Sequence, residues 1–359
     1  MGLPFLNRQA KKRDHVVAID LGGRSTKAVF LQRKGEKLSL VNYAIVDTPI
    51  HDKAMSPDLL AEHLKGVSRA LDNGHARQLT LALGVNETLF RQVEVPLNLT
   101  AEDLRQVLKY NAKAYLAQDL PDYVFDCYFL PFKPAPKPAE GAKPSPANLK
   151  TKAMITGMKK QAVDELQHAI KNAGLIADQV VPGLIGPANA FELAEPEAFL
   201  CEAVALVDIG FKNSSITILD CGEIALNRVV AIGGDQLTAG LAEAMGISYL
   251  EAENIKIGMP TEVQSNLEAL IHPLGSELRA SIDFFEHQQD KTVAQVYVSG
   301  GTARSDFIIH TLQNELMMPC KTWNPTKTLQ TALPPEKTAE LETALPQLTV
   351  AVGAAASGF

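Results

Sequence analysis

The sequence predicts an α/β protein built as two homologous lobes facing each other across a cleft, and three observations predict it. The segment Val17-Ala-Ile-Asp20-Leu-Gly22-Gly-Arg-Ser25-Thr-Lys27-Ala-Val29 recurs as Leu206-Val-Asp208-Ile-Gly210-Phe-Lys-Asn-Ser214-Ser215-Ile-Thr-Ile218, each copy reading strand, Asp, glycine turn, hydroxyls, strand. A third glycine element, Val296-Tyr-Val-Ser-Gly300-Gly301-Thr302, puts a strand before a Gly-Gly turn and a helix start. Between 88 and 183 the character of the chain changes, as an inserted module would change it.

The 359 residues are 46% hydrophobic and 21% charged, which supports more than one buried core and excludes a disordered or fibrous chain. A net charge of −7 disfavours nucleic acid as a partner, because phosphate backbones are bound through clustered Lys and Arg. The one basic cluster, Arg8 to Arg13, reads as a flexible, solvated tail over 1–13 rather than an anionic-lipid contact. Four scattered cysteines form no CxxC pair, so neither a disulfide scaffold nor a zinc site is expected. Neither a signal-peptide run nor a stretch of ~20 apolar residues is present, so the expected location is cytoplasmic, with membrane association only through a partner or the tail.

The first strand, 15–20, is a near-continuous apolar run suited to a sheet covered on both faces. Strands at 27–32 and 38–45 follow around a Lys-Gly-Glu-Lys turn. A helix over 56–71 opens at Ser56 and Asp58, and a strand over 79–84 completes a first lobe spanning 14–87. The inserted module, 88–183, reads βαββα: a strand at 90–95, a helix opened by the capping box Thr100-Ala-Glu-Asp103, strands at 124–130 and 152–157, and a helix at 160–173. Within it, 133–150 is too rich in Pro, Ala and Lys to hold a packed fold and reads as a flexible loop. The chain is then expected to return to the first lobe over 184–200, form the second lobe over 201–345 with a helical subdomain at about 236–290, and close on the first lobe with a helix over 346–359.

The repeated motif has a chemical logic. A glycine turn between antiparallel strands lets backbone N–H groups approach phosphate oxygens, and Ser and Thr hydroxyls add donors. The Asp that ends each strand suits a hydrated Mg²⁺, which takes few carboxylates and many waters. One Asp-x-Gly turn would be ordinary; two in the same strand context, roughly a domain apart, form a clamp. Glu253 and Lys256 lie at i,i+3 on one helical face, either as a solvent ion pair or as a carboxylate and an amine for ribose hydroxyls.

In this order the elements resemble the actin, DnaK-like chaperone and sugar-kinase superfamily, an actin-like (ribonuclease H-like) duplicated fold. Three stretches resemble the PilM family of type IV pilus proteins more closely: Asp20-Leu-Gly-Gly-Arg-Ser-Thr-Lys27, Lys171-Asn-Ala-Gly174-Leu175, and Arg228-Val-Val-Ala-Ile-Gly-Gly-Asp-Gln-Leu-Thr238 followed by Glu251-Ala-Glu-Asn-Ile-Lys256. The resemblance implies an insert placed as in the division protein FtsA, and a scaffold that binds ATP or ADP with Mg²⁺. It also implies a grip on the N-terminal cytoplasmic tail of a PilN-like membrane protein, and through it a link to the pilus inner-membrane platform and motor. Carried over by position, Asp20 and Asp208 would hold Mg²⁺. Gly22, Gly23, Ser25, Thr26, Lys27, Gly210, Asn213 and Ser214 would surround the phosphates, with Gly233 and Gly234 in the same site. Glu253, Lys256, Gly300, Gly301 and Thr302 would face the nucleoside.

Where relatives in the superfamily bring a Glu or Gln to the attacking water, this chain offers Val180-Val-Pro-Gly-Leu184, so hydrolysis is expected to be slow or absent. The competing readings are a sugar or acetate kinase and an FtsA-like protein that self-associates into filaments. The spacing Asp20-Leu-Gly-Gly-Arg-Ser-Thr26 departs from the sugar-kinase pattern, and the small-residue end Thr349 to Phe359 reads as a buried helix rather than a membrane tail.

Overall fold

The computed structural model describes residues 13–49, 55–72, 76–131 and 149–359. The expected basic tail, apart from Arg13, and the expected Pro-rich loop, apart from Leu149 and Lys150, lie outside the described residues; Arg13 itself forms an ion pair with Asp178. Strands β1 (His15–Asp20), β2 (Ser25–Lys34) and β3 (Lys37–Asp47) form an antiparallel meander. Every residue of β1 after His15 is buried, which is why it reads as an unbroken apolar run. Helix α1 (Pro57–Leu71) starts where the Ser56 hydroxyl accepts the Leu59 N–H, with Pro57 in the first turn, and it buries Leu60, Leu64, Val67 and Leu71. Strand β4 (Gln78–Leu83) then lies parallel to β1.

The insert follows: β5 (Leu89–Pro96), α2 (Ala101–Asn111), the short α3 (Lys113–Leu116), β6 (Tyr123–Phe129) and β7 (Lys150–Lys159). Its three strands pair in the order β5-β7-β6, and Val95, Leu104, Leu108 and Ile155 give it a core of its own. The capping box opens α2: the Thr100 hydroxyl accepts the Asp103 N–H while the Asp103 carboxylate accepts from the Thr100 backbone.

The remainder of the segment assigned to the insert belongs elsewhere. Helix α4 (Lys160–Asn172) packs on α1, its Leu166, Ala169 and Ile170 sharing a core with Leu64 and Leu81. A strand not foreseen, β8 (Ile176–Pro182), pairs in parallel with β4 and forms an edge of the first sheet. Exposed and half-buried residues alternate along β8, so it carries too little apolar signal to be read alone and gains its strand character from the partner.

A 3-10 turn (Gly183–Ile185), α5 (Gly186–Ala194) and α6 (Pro196–Cys201) lead to the second lobe. There β9 (Ala203–Ile209), β10 (Ser214–Asp220) and β11 (Glu223–Val230) repeat the opening meander. Helices α7 (Gly234–Met245), α8 (Tyr249–Gly258) and α9 (Gln264–Gln289) follow, their Leu237, Leu241, Leu267 and Ile271 buried in the core under the second sheet. Strand β12 (Gln295–Ser299), helix α10 (Asp306–Leu316) and β13 (Cys320–Thr322) complete that lobe.

The chain crosses back earlier than expected. Strand β14 (Gln330–Thr331) pairs with Ser39 and Leu40 of β3, and helix α11 starts at Pro335 and runs to Ala356, passing through Pro346. Leu348, Ala351, Val352 and Ala355 of α11 share a core with Val16, Val29 and Leu31 of the first sheet.

The first sheet is ordered β14-β3-β2-β1-β4-β8 and the second β11-β10-β9-β12-β13. Apart from β14, each is a three-strand antiparallel meander whose first strand continues into two parallel strands. The duplication read from two short motifs therefore extends over whole sheets. Among the described residues no helix is long and apolar enough to cross a membrane.

Candidate functional site

Both hairpins that carry the repeated motif open into one cleft of about 1640 Å³ between the lobes. In the first, the register sets Asp20 opposite Lys27; in the second, Asp208 stands opposite Ser215. The two copies are thus equivalent in pairing as well as in sequence, with a cation in one where the other has a hydroxyl. The glycines are equivalent too. A Cβ on Gly22 would stand 2.4 Å from the Ser25 carbonyl oxygen, and one on Gly210 would stand 2.8 Å from the Asn213 carbonyl oxygen, so each loop folds back on itself at a spacing only glycine permits.

Neighbouring elements hold the loops. The Thr48 N–H donates to the Arg24 carbonyl at 3.0 Å and the Thr48 hydroxyl to the Gly22 carbonyl at 2.7 Å. In the second lobe the first N–H groups of α7 serve the same purpose, Gly234 donating to the Gly210 carbonyl at 3.0 Å and Asp235 to that of Phe211 at 2.8 Å. The Thr302 hydroxyl adds a bond to the Gly210 carbonyl at 3.3 Å, tying the third glycine element to the second hairpin.

Asp20 is buried and Asp208 half-buried, and burial raises the pKa of each. For Asp20 burial outweighs the nearby Lys27 charge, Asp208 and Glu87 add to it, and the carboxyl is pushed up to about 6. Asp208 is raised by burial against a hydrogen bond from Ser299 and the charge of Lys27. The Lys27 ammonium stands 3.9 Å from Asp20, and the Ser299 hydroxyl donates to Asp208 at 2.9 Å. Two carboxyls whose charge the protein only partly offsets face one solvent-accessible space, an arrangement that favours an added cation.

Asp20, Gly22, Gly23, Ser25, Lys27, Asp208, Gly210, Asn213, Gly234, Glu253, Lys256, Gly301 and Thr302 line this cleft. Four residues expected at the site do not. Thr26 is 0% exposed, its hydroxyl 2.7 Å from the His63 ring and 3.3 Å from Thr48. Ser214, its counterpart in the second hairpin, turns inward and donates to the Ile232 carbonyl at 2.6 Å. Strand alternation is the cause: with Lys27 and Ser215 facing the cleft, the preceding residue of each strand must face the core. Gly233 packs on the Phe211 backbone, and Gly300, with φ +96°, donates its N–H to the Pro346 carbonyl of α11 at 2.7 Å.

Lys256 is 7% exposed. Its ammonium donates to Thr238 at 2.6 Å and to the Gly234 carbonyl at 3.2 Å, and it pairs with Glu253 at 2.7 Å. Glu253 also accepts a bond from Thr238. Burial raises the Glu253 pKa, but these hydrogen bonds, with the charges of Lys256 and Arg24, hold it below the usual range. The pair is therefore no solvent ion pair; it fastens α8 to the start of α7 and presents a carboxylate to the cleft.

Sequence reasoning missed Arg24, Glu87, Phe211, Ser215 and Gln347, all of which line the cleft, and Ser299, which acts through Asp208. Ser215 alone had a usable signal, its register opposite Asp208. Where a water-orienting carboxylate was sought, Gly183 and Leu184 reach the cleft. The cleft also extends between the first lobe and the insert, past Ile45, Met55, Leu60 and Leu166 on one side and Tyr123 and Met158 on the other. A separate cavity of about 520 Å³, lined by Cys201, Cys221 and His287, contains neither glycine loop.

The sequence model of the family described as type IV pilus assembly protein PilM matches residues 18–359. Among solved structures, the chain is similar to a PilM-PilN type IV pilus biogenesis complex, with TM-score 0.80 and 20% identity over 97% of this chain and 99% of that one. It is also similar to the ethanolamine utilization protein EutJ from Carboxydothermus hydrogenoformans, with TM-score 0.53 and 14% identity over 98% of this chain and 93% of that one. At these identities the likeness shows the fold, which is the actin-like duplicated α/β fold.

Proposed function

This chain belongs to the type IV pilus assembly protein PilM family, and on that premise we propose that it is a nucleotide-gated scaffold that binds ATP or ADP with Mg²⁺ and grips the N-terminal cytoplasmic tail of a PilN-like membrane protein. The observation that carries the nucleotide half is the pair of equivalent hairpins, Asp20 opposite Lys27 and Asp208 opposite Ser215, opening into one cleft. Two loops in which glycine alone fits suit backbone N–H contact with phosphates, and two carboxyls of raised pKa, Asp20 buried and Asp208 half-buried, suit a hydrated divalent cation.

Asp20 and Asp208 would hold the metal through its waters, with Ser299 orienting Asp208. Bound Mg²⁺ supplies charge compensation to the phosphates. Lys27 shares that task from the protein side, and Glu253 faces the ribose hydroxyls. Turnover is slow in this reading, since Gly183 and Leu184 offer no group to orient a water.

The peptide half rests on family membership and on the likeness to a PilM-PilN complex. The apolar branch of the cleft between α1 and the insert is the docking groove we infer, because it is continuous with the nucleotide space. Nucleotide would then bias peptide binding through its differing affinity for cleft conformations. Such a partner would hold the chain at the inner face of the membrane.

Titration calorimetry with Mg-ATP tests the first half, and no detectable binding by a folded sample would sink it. Pull-down with the N-terminal peptide of a PilN-like protein tests the second. Asp208→Ala is expected to weaken Mg-ATP binding and to leave peptide capture largely intact; equal loss of both would make Asp208 a structural residue.

A further inference from the structure

Helix α1 carries a polar side chain on its buried face. The core-facing positions Leu60, Ala61, Leu64, Val67 and Leu71 are apolar, and among them stands His63, which is 7% exposed. Its Nε2 lies 2.7 Å from the buried Thr26 hydroxyl. That hydroxyl is 3.3 Å from the hydroxyl of Thr48, which in turn donates to the Gly22 carbonyl at 2.7 Å. Three side chains, from α1, from β2 and from the end of β3, thus join a helix to the backbone of the first glycine loop.

The protons of this chain can be placed, because a hydroxyl has only one to give. That of Thr48 goes to the Gly22 carbonyl, so Thr48 accepts from Thr26. The Thr26 proton is then spent, so Thr26 accepts from His63, whose Nε2 carries hydrogen. Donation runs one way, from His63 to Gly22, and each bond of such a buried chain strengthens the next. The chain is either complete or broken, since loss of a donor leaves a buried hydroxyl oxygen without its partner.

Its two ends touch parts of the cleft with different tasks. At one end Thr48 holds the glycine loop at two points, Gly22 through its hydroxyl and Arg24 through its N–H. At the other, Leu60 precedes His63 by one helical turn and lines the apolar branch between the first lobe and the insert, and Pro57, a further turn back, lines it too. An occupant of that branch that displaces α1 carries His63 with it, and a two-state link of this kind is what physical coupling between sites requires.

We propose that His63 is a positioning residue for the first glycine loop, acting through Thr26 and Thr48, and that this chain couples an occupant of the apolar branch to a nucleotide on that loop. The inference rests on the reading of the cleft as a nucleotide site with a peptide groove, and it assigns the route between the two. It also gives Thr26 a task at the site despite its inward-facing side chain.

The test measures the affinity of the full chain for Mg-ADP by calorimetry, alone and with the N-terminal peptide of a PilN-like protein at saturation. In the parent the peptide is expected to change that affinity by about fivefold or more. Thr26→Val keeps the shape of the side chain without its hydroxyl. It is expected to weaken Mg-ADP binding about threefold and to bring the affinities with and without peptide within twofold of each other. Thr26→Ser keeps the hydroxyl and is expected to retain the parent's factor. His63→Gln, whose amide N–H replaces the Nε2–H, is expected to retain it as well, and His63→Leu to lose it. A Thr26→Ser variant as uncoupled as Thr26→Val would overturn the proposal by tracing the effect to packing, and so would Thr26→Val and His63→Leu variants that keep the parent's factor. Should His63→Leu fail to fold, the two Thr26 variants decide alone. A parent that binds both ligands independently of each other would overturn this inference and leave both binding assignments standing. A parent that fails to bind either one would overturn the reading on which the inference rests.

Discussion

Asp20 shows how a single side chain trades stability against ligand binding. Its carboxyl titrates at about 6 in the fold and at 3.8 when freely solvated, so between those values folding takes up a proton. The stability linked to this proton is full below 3.8, falls as pH rises towards 6, and stays reduced above it. Asp20→Asn is expected to relieve that penalty, raising the thermal midpoint above pH 6 by the equivalent of up to about 3 kcal/mol, while weakening Mg-nucleotide binding. A lower midpoint would show instead that the charge is needed by Lys27. Much at this scale was legible in the sequence, because a repeated Asp-x-Gly pattern names both aspartates and both close-packed glycines. Thr26 and Ser214 were misassigned because the motif fixes residue types and leaves open which face of the strand each occupies. Arg24 and Phe211 were missed because their contact is made between lobes, 5.9 Å apart in space and just over half the chain apart in sequence.

Among the elements, the crossing of α5 and α11 depends on backbone contact. A Cβ on Gly353 would stand 1.9 Å from the Gly186 carbonyl oxygen, so the two helices touch without side chains between them. Gly353→Ala is expected to force them apart and to destabilise the protein by about 1–3 kcal/mol, measured as a lower denaturation midpoint. An unchanged midpoint would mean that α11 shifts without consequence. Helices with clear caps, such as α1 at Ser56 and α2 at Thr100, could be read closely from sequence because the cap chemistry marks their first turn. Strand β14 could not: it has two residues and exists only through its pairing with β3. The start of α11 was placed too late because Pro346 reads as a boundary, whereas the helix passes through it and the Pro346 carbonyl accepts the Gly300 N–H.

Taken whole, the two lobes are sheets of the same strand order apart from β14, and their hairpin loops share one cleft. Ligand bound there must engage both loops together, so Mg-nucleotide is expected to slow amide hydrogen exchange in 20–27 and 208–215 in parallel. Protection of one hairpin alone would show that the lobes bind independently. The sequence order of the elements adds a further consequence. The strands β9 to β13 of the second lobe are contiguous, whereas the first lobe needs β14 and α11, which come after all of them. During translation the second lobe can therefore mature as a unit while Val16, Val29 and Leu31 wait uncovered for α11. The lobe that begins the chain is the later one to be sealed, so a ribosome that stalls within the second lobe releases a nascent chain with an open, aggregation-prone face.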